Sequence, residues 1–220
     1  MKSTLRNIIS LLAVGATLAC VNHAFADEID YSNSVNSVIN FQGNGTFNFQ
    51  NNQTAGGDVF QITSSGAAAN LTGNITGTYT IGTVNHITTN YAWAAVTGSG
   101  QFIVHDGASN DLTGTLQWVN IQESGTAGSL NIAGQLNLTN ITYSGLNPIL
   151  LSFANGHSAT NALSFQFHST TSLDDLVGPT QHQTSFSGSV SAPDGGTTIM
   201  LLGFALTGLA LVRRRRQTAA

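Results

Sequence analysis

The chain has 220 residues, Lys+Arg 6 against Asp+Glu 10, a net charge of −4 and one cysteine. All its fixed cations are Lys2, Arg6 and Arg213–Arg216, so residues 27–191 contain no Lys or Arg and hold every acidic residue except Asp194. That body has nothing with which to displace counterions from nucleic-acid phosphates or to bind anionic lipid headgroups; apart from charged His it has no partners for salt bridges, so apolar burial and backbone hydrogen bonds must hold it together.

Lys2 and Arg6 precede an apolar run from Ile8 to Val21, and Ala24-Phe25-Ala26 then places small residues around a cut before Asp27. This order is that of a secretory signal peptide over residues 1–26. Leu18-Ala19-Cys20 faintly resembles a lipoprotein signal, but Thr17 stands where that signal needs an apolar residue. Cleavage after Ala26 discards Cys20, leaving an exported chain with neither a disulfide nor a thiolate.

Alternation dominates residues 27–191, the signature of strands with one buried and one wet face. Phe47 and Phe49 share a face, as do Phe60 and Ile62. The longest alternating run is Leu71, Gly73, Ile75, Gly77, Tyr79 and Ile81, backed by Thr72, Asn74, Thr76, Thr78 and Thr80. A more fully apolar strand ends at His105, and Leu112, Gly114, Leu116 and Trp118 define the next. Leu130 to Leu138 continue the scheme, after which the parity flips to Ile141 and Tyr143; a bulge near Asn140 is expected there. Leu163, Phe165 and Phe167, then Phe186, Gly188 and Val190, supply the last strands. Turns are expected at Asn51-Asn52, Gly56-Gly57, 107–110, Ser124-Gly125 and Asn155-Gly156. The pattern predicts one all-β domain over 27–191 with about 8–11 strands. An antiparallel sandwich or jelly roll is expected ahead of a closed barrel, and a barrel ahead of a parallel solenoid.

Little in this body points to chemistry. His86, His105, His157, His168 and His182 stand at no zinc-site spacing and lack a cysteine partner, so no metal or cofactor is expected. Asp106, Asn110 and Asp111 flank one loop with the oxygen donors calcium prefers, although a hairpin turn explains the same residues. Trp93 and Trp118 are candidates to stack on sugar rings, or else core residues. No nucleophile motif stands out, and without Lys or Arg the usual anion stabilisers are missing. The expectation is a protein that is not an enzyme.

The chain ends on Ala192-Pro193-Asp194-Gly195-Gly196-Thr197, an apolar run over 198–212, and Arg213-Arg214-Arg215-Arg216. About 15 apolar residues make a helix of roughly 22 Å at about 1.5 Å per residue. That is short of a bilayer core of about 30 Å, which snorkelling arginines and local thinning can accommodate. Clustered arginines beside a span stay cytoplasmic, which puts the body outside. Residues 192–216 resemble the PEP-CTERM class of sorting signals, closest to the variant written Val-Pro-Asp-Ser-Gly, with Ala192 where Val is usual and Gly195 where Ser is usual. The resemblance implies export, anchoring by a C-terminal transmembrane helix, and cleavage near Pro193-Asp194 by an exosortase-like transpeptidase. The chain therefore reads as a signal peptide (1–26), a β-rich extracytoplasmic domain (27–191) and a sorting signal (192–220). The expected role is that of a surface or extracellular-matrix protein, or alternatively a carbohydrate-binding module, with the exosortase, the membrane and an exopolysaccharide as partners.

Overall fold

A computed structural model describes residues 27–51, 57–64, 66–125 and 131–192, with backbone alone for 131–133. The expected signal peptide, and the tail beyond Ala192, lie outside these residues. The described chain is all-β and antiparallel throughout. In order it runs through β1 (Glu28–Asn33), β2 (Ser37–Phe41), β3 (Thr46–Asn51), β4 (Phe60–Ile62), β5 (Thr72–Ile75), β6 (Tyr79–Ile81) and β7 (Asn85–Thr88). There follow β8 (Tyr91–Thr97), β9 (Ser99–His105), β10 (Asp111–Ser124), β11 (Asn131–Thr142), α1 (Pro148–Gly156), β12 (Ser158–Phe165), α2 (Leu173–Val177), β13 (His182–Thr184) and β14 (Phe186–Ser191).

Eight of these strands close a barrel in the order β11-β12-β14-β1-β4-β5-β9-β10, and the pairing of β10 with β11 joins the ends. The remaining strands continue from the far half of β10 as β8-β6-β3-β2-β13, with β7 beside β8. The expected sandwich or jelly roll is thus corrected to a closed barrel with a second sheet growing from it. Alternation shows only which face of a strand is buried, and that is the same in both architectures. Closure depends on the β10–β11 hairpin, and the far half of β10 also pairs with β8 of the second sheet.

The strand count also exceeds expectation, because β1, β2, β7, β8 and β13 were not read from the sequence and the run from Leu71 to Ile81 breaks into two strands. β5 and β6 divide around Gly77 (φ +99), and β8 and β9 divide at Gly98 (φ +108). Beyond each break the chain changes neighbours, from β4 to β3 on one run and from β6 to β5 on the other. The two corners touch backbone to backbone. A Cβ on Gly77 would lie 2.6 Å from the Ser99 carbonyl oxygen, one on Gly98 2.6 Å from that of Thr78, and one on Gly100 1.8 Å from that of Thr76. Only glycine allows both the positive φ and this approach. β10 passes the same corner through a register shift between Trp118 and Asn120, across from Leu136 and Gln135.

The predicted faces are observed. Phe47, Phe49, Phe60, Ile62, Ile75, Tyr79, Ile81, Leu112, Leu116, Leu163, Phe165, Phe186 and Val190 are all buried. Asn140 has φ +52, and the β10–β11 register shifts between Thr113 and Thr115, the bulge expected from the parity flip. One core serves both sheets: Phe60 stacks on Phe102 at 4.8 Å, Phe49 meets Phe186 edge-on at 5.1 Å, and Phe47 meets Trp118 edge-on at 4.9 Å. Inside it, the buried Tyr31 hydroxyl donates to Asn161 Oδ1 at 2.8 Å. Burial pushes that phenol well above its ordinary range, so it remains a neutral donor.

Both helices were missed by periodicity, being too short to show a stripe. α1 starts at Asn147, whose side chain accepts the Ile149 and Leu150 amides, with Pro148 in the first turn. These are strong start signals. The expected turn at Asn155-Gly156 is the end of this helix, capped by His157 at φ 55. α2 opens with a capping box between Ser172 and Asp175. Its Leu173 amide also donates to the buried Glu123 carboxylate at 2.7 Å.

β1 and β14, the first and last strands, pair from Glu28↔Ser191 inward. The Ala192 amide then donates to the Asp27 carbonyl at 2.9 Å, and Ala192 is buried.

Candidate functional site

The densest group of titratable side chains lies on the outer wall of the barrel. Strand register builds it: His105 ends β9, and its cross-strand neighbours are Thr72 of β5 and Asp111 of β10. Asn74 follows two residues after Thr72 and so faces the same way. Asp58 enters just ahead of β4, its backbone carbonyl held by Ser37 Oγ and Asn51 Nδ2, both at 3.2 Å. Four segments therefore converge, two of them the arms of one hairpin.

His105 Nδ1 lies 2.9 Å from Asp111 Oδ1, and Nε2 lies 3.4 Å from Asp58 Oδ1. Asn74 Nδ2 is 3.2 Å from both Asp58 Oδ1 and His105 Nε2. The Thr72 hydroxyl donates to the other Asp58 oxygen. Side-chain exposures of 36% for His105, 37% for Asp58 and 43% for Asp111 leave the group reachable from solvent. Two carboxylates thus face one imidazole in a body with no Lys or Arg.

The loop from Asp106 to Asn110 is the hairpin turn between β9 and β10. Asp106 Oδ1 accepts the Ala108 and Asn110 amides at 2.7 and 3.1 Å, and Oδ2 accepts the Tyr143 hydroxyl at 2.9 Å. Desolvation raises the Asp106 pKa, but these donors outweigh it and hold the carboxyl below its usual value. The calcium candidates do not form a cage. Asp106 turns to amides and Tyr143, Asp111 turns to His105, and Asn110 Oδ1 faces Ser144 Oγ at 3.5 Å. Among the described residues no three His, Cys, Asp or Glu side chains converge on one point.

The two tryptophans are not brought together. Trp118 is 5% exposed and packs in the core against Phe47, Tyr79 and the bare backbone of Gly134. That burial matches the core position that the sequence offered as the alternative to a sugar platform. Trp93 is half-buried on the opposite face of β8, with Asn85 and Gln122 as cross-strand neighbours. His86 pairs with Asp174 at 3.1 Å, both well exposed, and His168 is exposed as expected. Of the processing residues, Asp27 and Ala192 are described, and they meet at the β1–β14 seam. Ala24 and Ala26, Pro193 to Thr197 and Arg213–Arg216 lie outside the described residues.

The family model for the VPDSG-CTERM motif matches residues 192–216. The tail is a PEP-CTERM-type sorting signal. No curated protein and no solved structure matches the chain. The sorting signal therefore begins at Ala192, the residue that directly follows the last barrel strand. No helix among the described residues is long and apolar enough to cross a membrane, and the span expected over 198–212 lies outside them.

The sequence missed the polar cluster. Spacings of 58, 72, 74, 105 and 111 fit no motif, and only the register of β5, β9 and β10 brings these residues together. One signal was available: His105 and Asp111 flank a short turn on two alternating strands, so a hairpin would set them opposite each other.

Proposed function

We propose that this chain is a non-enzymatic component of the cell surface or extracellular matrix. It is delivered through the secretory route, held in transit by the span over 198–212, and cut near Pro193-Asp194 by an exosortase-like transpeptidase. The observation that carries this reading is the position of the sorting signal, which starts where the last barrel strand ends. An independently folded cargo joined directly to a disposable tail is what such processing needs.

The body suits a structural role. It carries no fixed cation to stabilise a developing oxyanion, and the buried Tyr31, Asn161 and Glu123 are engaged inside the fold. Exopolysaccharide is the matrix partner this reading favours. Trp93, rather than Trp118, offers the ring for stacking on a sugar.

Mass spectrometry of the mature C-terminus tests the processing. The expected species begins at Asp27, ends close to Pro193 and lacks Arg213–Arg216. An exported protein that retains all four arginines would overturn it.

A further inference from the structure

We propose that Asp58, Asn74 and His105 form a binding site for a divalent transition-metal ion, with Zn²⁺ the ion of closest fit. Asp58 Oδ1, Asn74 Nδ2, which donates to it, and His105 Nε2 form a nearly equilateral triangle with edges of 3.2, 3.2 and 3.4 Å. A tetrahedral zinc site with bonds of about 2.1 Å spaces its donors about 3.4 Å apart, so the triangle has the size of one face of such a site. A half-turn of the Asn74 amide about its Cβ–Cγ bond exchanges nitrogen for oxygen and presents a third donor. The partial exposure of His105 and Asp58 leaves the fourth position to water.

The surroundings are those of a metal site as well. Asp111 accepts from His105 Nδ1, which fixes the tautomer whose Nε2 lone pair points into the triangle. Thr72 donates to the Asp58 oxygen that is turned away from the triangle. Each of these two donors thus has an outer partner orienting it, the arrangement that metal ligands characteristically show. Charge acts in the same direction, because two carboxylates converge where the body supplies no Lys or Arg. Spacing along the chain could not reveal the site, since its donors come from β5, β9 and the approach to β4. It is distinct from the calcium reading of the 106–110 loop, and it is independent of how the tail is processed.

The test is a Zn²⁺ titration of the exported protein by calorimetry, paired with the electron paramagnetic resonance spectrum of the Cu²⁺-loaded form. The expected result is one ion per chain, with nitrogen coupling from a single imidazole. His105→Gln should abolish both signals. Asp58→Asn and Asn74→Ala should each weaken zinc binding at least tenfold. Asp111→Asn, which removes only the outer partner, should weaken it about 10–100-fold. His86→Gln, at the other His–Asp pair, should change nothing. Each variant's thermal melt identifies any that fail to fold, and Asn74→Ala stands in for Asp58→Asn if needed. Absence of binding by the wild type, or equal binding by folded His105→Gln, would overturn the proposal.

Discussion

Single positions carry weight where the core leaves no room for another atom. Gly134 lies under the Trp118 ring, and a Cβ there would be 2.1 Å from the indole. Gly134→Ala should therefore cost about 1–3 kcal/mol in urea unfolding through overpacking. Adding Trp118→Leu should recover part of that loss, and strict additivity of the two changes would refute the contact. Asp175 sits below its usual pKa because the Ser172 amide and hydroxyl bond the carboxylate, while burial opposes them. A depressed carboxylate contributes its stability above its unfolded pKa of about 3.9 and loses it as the pH falls through the lower folded value. Melting midpoints should therefore drop on acidification below about pH 4, and Asp175→Asn should flatten that drop while lowering the midpoint at neutral pH. Residue identity alone foretold little of this. The sequence offered Trp118 as a sugar platform or, more readily, as a core residue, and the bare backbone of Gly134 across the hairpin supplies the room for the core position.

The strands were legible because alternation is a local property. Face assignments held from Phe47 to Val190, and the bulge at Asn140 followed from one break in parity. What alternation could not show is where a strand turns a corner, since the period of two runs unbroken through Gly77 in the sequence. The corner is set instead by backbones that approach too closely for a side chain. Gly98→Ala should therefore cost about 2–4 kcal/mol, combining left-handed strain with a clash against Thr78. Gly107 supplies the control: its φ is +76, but nothing lies within 4 Å of its would-be Cβ. Gly107→Ala should cost only about 1–2 kcal/mol, the strain alone. Similar losses at the two sites, measured by denaturant titration, would dismiss the packed-corner account. α1 and α2 escaped the sequence for the opposite reason: they are specified by caps at Asn147 and Ser172, not by a stripe.

For the molecule as a whole, charge is distributed so that repulsion dominates. The body pairs its acids only with histidines, at His86–Asp174 and around His105 among the described residues. Outside these pairs the body's charges are all of one sign, so added salt mainly screens like charges. Raising NaCl from about 0.01 to about 1 M should thus raise the melting midpoint or leave it unchanged, whereas proteins built on surface ion pairs lose stability. A fall in the midpoint would show that unrecognised attractive pairs hold the fold. The seam between β1 and β14 has a further consequence. Because Asp27 and Ala192 are hydrogen-bonded neighbours, the barrel is topologically a ring of chain with one nick. Bridging that nick with a few residues and reopening the ring in the 106–110 turn would give a circular permutant with every strand pairing intact. Where the polypeptide starts and stops is thus a matter of delivery, and the architecture does not depend on it.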